Sequence, residues 1–349
     1  MPKVTFVLPG RGRSGGVRVT VEMANRLLRL GYDVRVAYRT SPMLTRDWFK
    51  DILKNFVDYK IQKLTNTDWL DKFNGRSKKY SNLSGVRFAE REVVIAVGTH
   101  TVRDVYRLTG GVIKVRYNHG LSLDNPELTE HVWGLPMTTV TVSNTLVSRL
   151  EELCGAGVAA VIPNGIDSSE YFVENGAARD GVGFMYSSHP IKRPEDMICF
   201  AQDLGAEMPG IPQYYFGTDP RPTGLEQGTY VRYPSVAEAR KIYNRCLVWI
   251  STSLGEGLPG PILEAMACGC AVVSADNLGA KELIKDGKNG FLVPVGDIEA
   301  FVTTVRRLIA DPGLRERIVG SAFNTVKKFS WEKAVEKMDT FLTGLVDGH

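Results

Sequence analysis

Short, continuous apolar runs alternate with segments of helical periodicity in the first half of the chain. Five runs stand out, at residues 4–8, 33–38, 93–98, 112–117 and 138–143. Runs that are apolar at nearly every position are typical of parallel strands buried on both faces. After the first run, apolar residues recur at helical spacing from Val17 to Leu28, and Gly31 closes that helix. The pattern predicts a doubly wound parallel sheet.

The same alternation starts again in the second half of the chain. Residues 175–181 between the two series are small, polar and glycine-containing, as linkers are. We therefore expect an α/β protein with two Rossmann-like domains, residues 1–172 and 173–328, that face each other across a cleft. Ligands of such sheets bind beyond the carboxyl ends of the strands. The runs of the second series lie at residues 182–188, 213–218, 247–252, 271–275 and 290–294.

Residues 44–91 fit this alternation least well. Apolar side chains between Trp48 and Phe56 share one helical face, and lysines occupy other positions of the same segment. A basic amphipathic helix either packs its apolar face on the protein core or lies on an anionic membrane. The segment is predicted to be a core-facing helix, with peripheral membrane contact as the alternative.

Length and composition agree with two soluble domains. The 349 residues are 43% apolar and 23% charged, as in ordinary globular proteins. The five cysteines show no Cys-x-x-Cys spacing, so neither a metal site nor a disulfide framework is expected. The net charge of +4 is too small to indicate a nucleic-acid partner.

The sequence also bears on location. No apolar run approaches the ~18 residues that span a bilayer, and the first residues have the pattern of a strand and a turn rather than of a signal peptide. We expect a cytoplasmic location, with peripheral contact at the inner membrane face as the alternative.

A glycine-rich turn follows the first predicted strand. Gly10, Gly12 and Gly15 form a G-x-G-x-x-G pattern, and Arg39 ends the second run, which would suit an NADP-dependent oxidoreductase. A proline before the turn and a further glycine, Gly16, after it argue against the tight turn of that class. Gly15 and Gly16 before a helix can still let backbone N–H groups approach a diphosphate. The alternative is a turn that needs positive φ and binds nothing.

The most specific stretch of the sequence is STSLGEGLPGPILEAMACGCAVVSA, residues 251–275. It leads from a predicted strand through a loop into a helix, with prolines where a missing N–H costs nothing. Glu256 lies in the loop and Glu264 in the first turns of the helix. Carboxylates accept hydrogen bonds from hydroxyl groups, and the N–H groups of a helix N-terminus suit an anion. A nucleotide-sugar has both features.

Several motifs, in their order and spacing, resemble those of glycosyltransferase family 4, the retaining transferases of the GT-B fold. The resemblance implies a GT-B fold, a nucleotide-sugar donor and transfer of its sugar to an acceptor hydroxyl. It also implies a last helix, residues 329–349, that returns to the first domain. The matching elements extend over almost the whole chain and are Gly15–Gly16, 161–167, 251–275, 279–293 and 329–338.

The resemblance also implies roles for individual residues. Glu264 would hold the ribose of the donor, and Glu256 would contact the transferring sugar. The backbone at Gly257 and Leu258 would line the sugar and the diphosphate. Lys192 would neutralise the departing diphosphate.

His119 completes the set of predicted catalytic residues with Glu256 and Lys192. It falls where family members have a histidine near the transferring sugar or the acceptor. Two positions depart from the family pattern. Ser187 stands where an arginine is usual, and Arg193 is the candidate that replaces it in donor binding. Pro259 stands where a glycine is commonest and offers no N–H to the donor.

The mechanism implied by the resemblance is front-face substitution, in which the leaving phosphate oxygen acts as the base. The chain contains no Asp-x-Asp pattern, which favours a metal-independent site without a cofactor. Three alternatives stay open: an NADP-dependent oxidoreductase, a non-catalytic sugar-nucleotide-binding GT-B protein, and a GT-B epimerase or phosphorylase. The donor base, the sugar and the acceptor are not identified by the sequence.

Overall fold

The protein forms two compact units, each built on one parallel β-sheet. The computed structural model describes residues 1–12, 14–39, 68–120, 131–155 and 157–347. The first unit comprises Met1–Asn164 and Trp331–His349, and the second comprises Gly165–Ser330. The first unit is therefore made of two separate stretches of chain, whereas the second is continuous.

The first unit contains a seven-stranded sheet with the order β3-β2-β1-β4-β5-β6-β7. All described strand pairs are parallel. All five predicted runs are confirmed as strands. The central positions of β1, β4 and β5 are buried or nearly so, as expected for interior strands. The strands are β1 Lys3–Leu8, β2 Asp33–Arg39, β3 Arg76–Tyr80, β4 Val93–Val97, β5 Ile113–Asn118, β6 Thr138–Thr141 and β7 Ala160–Val161, and the helices described within Met1–Asn164 are α1 Gly15–Arg29, α2 Thr99–Tyr106 and α3 Asn144–Cys154.

The second unit contains a six-stranded parallel sheet with the order β10-β9-β8-β11-β12-β13. Its largest apolar cluster includes Phe184, Phe200 and Phe301, which are all fully buried. The strands are β8 Gly181–Tyr186, β9 Gln213–Gly217, β10 Thr229–Arg232, β11 Cys246–Ser251, β12 Ala271–Ala275 and β13 Phe291–Val293, and the helices are α4 Pro194–Glu207, α5 Val236–Arg245, α6 Gly260–Ala267, α7 Leu278–Leu283, α8 Ile298–Ala310 and α9 Pro312–Val326.

Three strands, β3, β7 and β10, have no counterpart among the predicted runs. Each lies at the edge of its sheet. β3 and β10 contain polar residues, and β7 has only two residues. The first four residues of β3, Arg76–Lys79, are all exposed. Hydrophobic continuity therefore finds the interior strands and overlooks these edges.

The predicted amphipathic helix belongs to the segment 44–91, of which residues 44–67 lie outside the described residues. From residue 68 onward the chain forms 3-10 turns at Trp69–Lys72 and Leu83–Gly85 and the edge strand β3. No helix of the described residues combines the length and the apolar character needed to cross a membrane.

The boundary between the units falls between Asn164 and Gly165, a few residues before the predicted position. Residues 175–181, expected to be a linker, lie within the second unit and contact its other elements through Arg179. The Arg179 guanidinium donates to the carbonyl oxygen of Cys246 at 2.9 Å and to Asn244 Oδ1 at 3.0 Å. Asn244 in turn donates to the carbonyl oxygen of Phe172 at 2.9 Å. These hydrogen bonds attach the segment to α5 and β11.

The helix α10, Trp331–Asp347, packs against α1 in the first unit. The Arg26 guanidinium lies over the ring of Trp331, 4.7 Å from its centroid. Tyr32 Oη donates to Asp339 Oδ1 at 2.6 Å. Trp331 is 5% exposed, so α10 contributes to the core of the first unit.

We expect Trp331→Ala to lower the free energy of unfolding of the first unit by about 3–5 kcal/mol, because truncation of a buried tryptophan leaves a cavity. Trp331→Phe, which keeps an aromatic ring at this position, should lower the free energy of unfolding by less. Urea denaturation with a probe in the first unit measures the effect. The exposed Glu336→Ala on the same helix is the matched control. Equal stability of Trp331→Ala and this control would contradict the packing.

Candidate functional site

The strands β8 and β11 are parallel neighbours in the second unit, with Phe184 opposite Ile250. The chain proceeds from β8 to β9 on one side, whereas β12 lies on the other side of β11. The sheet order therefore reverses between β8 and β11, which is where open α/β sheets bind ligands. The loops that follow the two strands, residues 187–193 and 252–259, meet at this point.

Two hydrogen bonds join these loops. The backbone N–H of Leu254 donates to the carbonyl oxygen of Ile191 at 2.8 Å. The hydroxyl of Thr252, which is 2% exposed, donates to the carbonyl oxygen of Lys192 at 3.0 Å. Because both acceptors belong to the turn at Pro190–Lys192, the turn is fixed against the end of β11.

Lys192 and Glu256, two predicted catalytic residues, lie side by side as a result. Lys192 Nζ donates to Glu256 Oε1 in an ion pair. The two side chains are 23% and 17% exposed, so both remain accessible from solvent while being partly desolvated. The structure thus brings together two residues that are far apart in the sequence.

A third segment, the start of α7, supports the loop that carries Glu256. Asn277 Nδ2 donates to the carbonyl oxygen of Ser253 at 2.8 Å, and its Oδ1 accepts from the N–H of Ala280 at 3.0 Å. Gly279 lies directly beneath Glu256, since a Cβ built on it would be 2.7 Å from the carbonyl oxygen of Glu256. Sequence reasoning missed both Asn277 and Gly279. The available signal was an asparagine before a short helix, which is typical of an N-cap.

The helix α6 begins at the same place. Its N-cap residue is Pro259, and no side chain of the described residues caps it. Gly257 has no side chain and Leu258 is buried, so this part of the loop can offer a ligand only its backbone. The positive end of the helix dipole therefore adds to the Lys192 charge.

A pocket of about 340 Å³, open to solvent, lies between these segments. We call it the switch-point pocket. It is lined by Met185, Lys192, Met197, Trp249–Ser253, Glu256, Pro259, Pro261 and Ile262.

Glu264 lies on α6, one turn beyond the start of the helix. Its Oε2 accepts a hydrogen bond from the hydroxyl of Tyr243 at 2.9 Å. Tyr243 is fully buried, whereas Glu264 is partly exposed. One side of the carboxylate is therefore attached to the core of the second unit.

Arg193, the predicted replacement for a missing arginine, does not line the switch-point pocket. Its backbone is left-handed, with φ +50°, and its guanidinium is paired with Asp196, with Nη2 3.0 Å from Oδ1. The hydrogen bond from Arg193 to Asp196 raises the pKa of the guanidinium. Ser187, at the arginine position, accepts from the N–H of His189 at 3.3 Å within the turn. A donor-binding role for Arg193 stays a prediction.

The glycine turn of the first unit has open space around it. Gly15 is the first residue of α1, and the Ser14 hydroxyl caps the helix by accepting from the N–H of Val17 at 3.3 Å. A Cβ at Gly15 or Gly16 would meet no atom within 4 Å. The positive φ of this turn, +129°, belongs to Gly12. Gly15 and Gly16 are therefore not required by backbone strain, and their predicted role in ligand approach is unchanged.

His119 follows β5 in the first unit. Its ring lies 4.2 Å from the ring of Tyr117, measured between centroids. Its Nε2 is buried and has no hydrogen-bond partner among the described residues. Burial lowers the pKa of His119 from 6.5 to about 4, so the imidazole is neutral at neutral pH. No group of three or more metal-ligating side chains occurs within the described ranges, and a metal-independent site stays a prediction.

The chain is similar to known glycosyltransferases. Residues 215–311 match the family model of Glycosyl transferases group 1. Sulfoquinovosyl transferase SQD2 of Arabidopsis thaliana is 33% identical over 150 residues, which are 42% of this chain and 28% of that protein. A D-inositol 3-phosphate glycosyltransferase of Thermomonospora curvata is 24% identical over an aligned length of 406 residues, with 97% of this chain and 93% of that protein covered. In the first three curated relatives the matched part spans only 20–28% of their length.

Solved structures show the same fold. Sucrose-phosphate synthase from Thermosynechococcus elongatus has a TM-score of 0.77 at 15% identity, with 99% of this chain and 100% of that chain covered. Anabaena Alr3699/HepE, in complex with UDP and glucose, has a TM-score of 0.73 at 16% identity, with 99% and 100% covered. The predicted GT-B fold is confirmed, and so is the resemblance to group 1 glycosyltransferases. Assignment to family 4 stays a prediction, and the oxidoreductase alternative receives no support.

We expect Gly279→Ala to lower the free energy of unfolding of the second unit by about 1–3 kcal/mol, because the added methyl group meets the Glu256 backbone. Gly320→Ala is the matched control, since a Cβ at this position of α9 meets no atom within 4 Å. The control should gain about 0.4–1 kcal/mol. Urea denaturation compares the two variants, and a stabilised Gly279→Ala would contradict the contact.

We expect acid to destabilise the first unit through His119. Between pH 6.5 and about 4 the unfolded chain binds a proton that the folded chain does not. The free energy of unfolding therefore falls as pH falls through this window, by at most about 3 kcal/mol. His119→Asn should reduce this dependence, and His131→Asn, at an exposed position, should not. Urea denaturation at pH 7 and pH 4.5 measures it; equal pH dependence of both variants would contradict the burial.

Proposed function

We propose that this chain, which carries a group 1 glycosyl transferase segment on a GT-B fold, transfers a sugar from a nucleoside-diphosphate sugar to an acceptor hydroxyl. The observation that carries the proposal is the Lys192–Glu256 pair in the switch-point pocket. A cation, a carboxylate and a helix N-terminus without a side-chain cap occur there together. These groups match the diphosphate and the sugar of such a donor.

The diphosphate part of the donor requires positive charge. Lys192 can supply it because its ammonium group lies at the pocket and is only partly exposed. In water-poor surroundings a charge stabilises a developing phosphate anion more strongly than in bulk water. The uncapped start of α6 adds backbone N–H groups with the same effect. Binding of the diphosphate would draw Lys192 away from Glu256.

The sugar and the ribose of the donor require hydrogen-bond acceptors. Once Lys192 turns to the diphosphate, Glu256 can accept from sugar hydroxyls, and Glu264 on the adjoining helix can accept from the ribose. Carboxylate acceptors form stronger hydrogen bonds than neutral ones. Both residues therefore act in this proposal as ligands of the donor.

The transfer proceeds with retention and without a metal in this proposal. Front-face attack by the acceptor needs no carboxylate nucleophile under the anomeric carbon, unlike double displacement. The sugar–phosphate bond breaks as the acceptor oxygen bonds to the anomeric carbon, and the leaving phosphate oxygen takes the acceptor proton. His119 and the Gly15–Gly16 turn, which belong to the first unit, stay predicted contributors.

Related proteins support a nucleotide-sugar donor. Anabaena Alr3699/HepE was solved with UDP and glucose, and the pneumococcal transferase GtfA with UDP and GlcNAc. The acceptor of this chain is unassigned. A cytoplasmic location and membrane contact through residues 44–91 stay predictions.

A thermal-shift panel of ADP, CDP, GDP, UDP and their sugar derivatives tests the proposal. A ligand present at 100 times its dissociation constant should stabilise the protein by about 2.7 kcal/mol. Release of nucleoside diphosphate from the sugar derivative that binds would then separate an enzyme from a non-catalytic binding protein. If the protein instead converts the bound nucleotide-sugar into an isomer of that nucleotide-sugar, it is an epimerase. Absence of any shift would refute the proposal.

We expect Lys192→Met to lower kcat/KM for the donor by roughly 100- to 1,000-fold, because the leaving diphosphate loses its charge partner. Steady-state release of nucleoside diphosphate measures it. Lys281→Met is the matched control, since Lys281 forms an ion pair with Asp276 at 3.0 Å in the same unit, outside the pocket. Unchanged kcat/KM in a folded Lys192→Met protein would contradict the role of Lys192.

A further inference from the structure

The carboxylate of Glu264 is held by a residue that no motif singled out. Tyr243 lies on α5 and Glu264 on α6, and Tyr243 Oη donates to Glu264 Oε2 at 2.9 Å. Tyr243 is 0% exposed. A buried phenol needs a partner for its hydroxyl, and among the described residues the partner is a carboxylate of the proposed donor site.

The ring of Tyr243 is fixed by other aromatic rings. Its centroid lies 4.4 Å from that of Trp249, 5.6 Å from that of Phe216 and 6.1 Å from that of Tyr171. Trp249 is itself fully buried in β11. The Tyr243 hydroxyl therefore has little freedom to move, and it defines the position of Glu264 Oε2.

The protonation of Tyr243 favours the same arrangement. Burial, together with the nearby Glu264 carboxylate, raises the pKa of Tyr243 well above its ordinary value. The phenol therefore remains protonated, and a hydrogen-bond donor, at neutral pH. The Glu264 carboxylate therefore faces a hydrogen-bond donor, the Tyr243 hydroxyl.

The second oxygen of Glu264 points to the start of α6. A Cβ built on Gly260, the first residue of the helix, would lie 4.0 Å from Glu264 Oε1. Pro259 and Pro261, on either side of Gly260, line the switch-point pocket. The carboxylate thus has one oxygen on Tyr243 and the other near the start of α6, next to two prolines that line the pocket.

We propose that Tyr243 is a positioning residue that fixes Glu264 for the hydroxyls of a ribose and thereby makes the site select ribonucleotides over deoxyribonucleotides. The inference rests on the proposed function, since it assumes that a nucleoside diphosphate binds here. A carboxylate held in one rotamer binds two neighbouring hydroxyls without first losing side-chain freedom. A nucleotide without them forms neither hydrogen bond with the carboxylate, so it binds more weakly.

Tyr243→Phe tests the proposal because it removes the hydroxyl and keeps the ring. The affinities of ADP, CDP, GDP and UDP are compared with those of their 2′,3′-dideoxy counterparts by calorimetry. In the wild type, the ribonucleotide that binds should bind on the order of 100-fold more tightly than its dideoxy form. In Tyr243→Phe this ratio should fall about tenfold, through weaker binding of the ribonucleotide alone.

Tyr230→Phe is the matched control. Its hydroxyl donates to the carbonyl oxygen of Asp219 at 2.6 Å in the same unit, and its loss should leave the ratio unchanged. In a Glu264→Ala background, Tyr243→Phe should have no further effect, since the two residues act as one unit. Glu264→Asp, which keeps the charge but withdraws it from Tyr243, should lower the ratio as Tyr243→Phe does.

The outcomes separate this inference from the proposed function. If no nucleoside diphosphate binds the wild type, the proposed function fails and this inference fails with it. If one binds with an unchanged ratio in both Tyr243→Phe and Glu264→Asp, the inference fails while the proposed function stands. A lower melting temperature of Tyr243→Phe with an unchanged ratio would show a purely structural role for Tyr243.

Discussion

Two hydrogen bonds between the loops after β8 and β11 determine the geometry of the candidate site. The Leu254 N–H and the Thr252 hydroxyl both donate to the turn at Pro190–Lys192. Parallel neighbours in a sheet bring their carboxyl ends to one edge, and these bonds hold the loops that follow against each other. The carbonyl oxygen of Lys192 is anchored by Thr252, and its side chain reaches Glu256. The geometry of the pocket thus depends on uncharged hydrogen bonds to the backbone as well as on the ion pair.

Residues outside these loops also support the site. Asn277 and Gly279 hold the Glu256 loop from below, and Tyr243 holds Glu264 from the side of the core. Such supporting residues fix the rotamers of the residues that contact a ligand, and a loosely held site loses much of its activity. In this unit the support comes from α5, α6 and α7, so that part of the site is built on regular elements rather than on loops alone.

The sequence predicted most of the fold because interior parallel strands are apolar at successive positions. It failed for β3 and β10, whose edge positions permit polar residues such as those at Arg76–Lys79, and for β7, which has only two residues. For the site, Glu256, Glu264 and Lys192 could be proposed from motifs, but the contact between Lys192 and Glu256 could not, because it depends on which strands are neighbours. Tyr243 and Gly279 were missed for a related reason: their importance lies in what they touch, and single-residue patterns do not contain contacts.

The two-part composition of the first unit bears on how the protein is made. Its core includes α10, which begins at Trp331, while the second unit is one uninterrupted stretch between the two parts. During synthesis the ribosome releases the second unit in full before it releases α10. The second unit can therefore fold first, and the α1 surface under Trp331 waits exposed until the last described helix emerges. The unit whose synthesis begins first is thus the unit whose core is completed last.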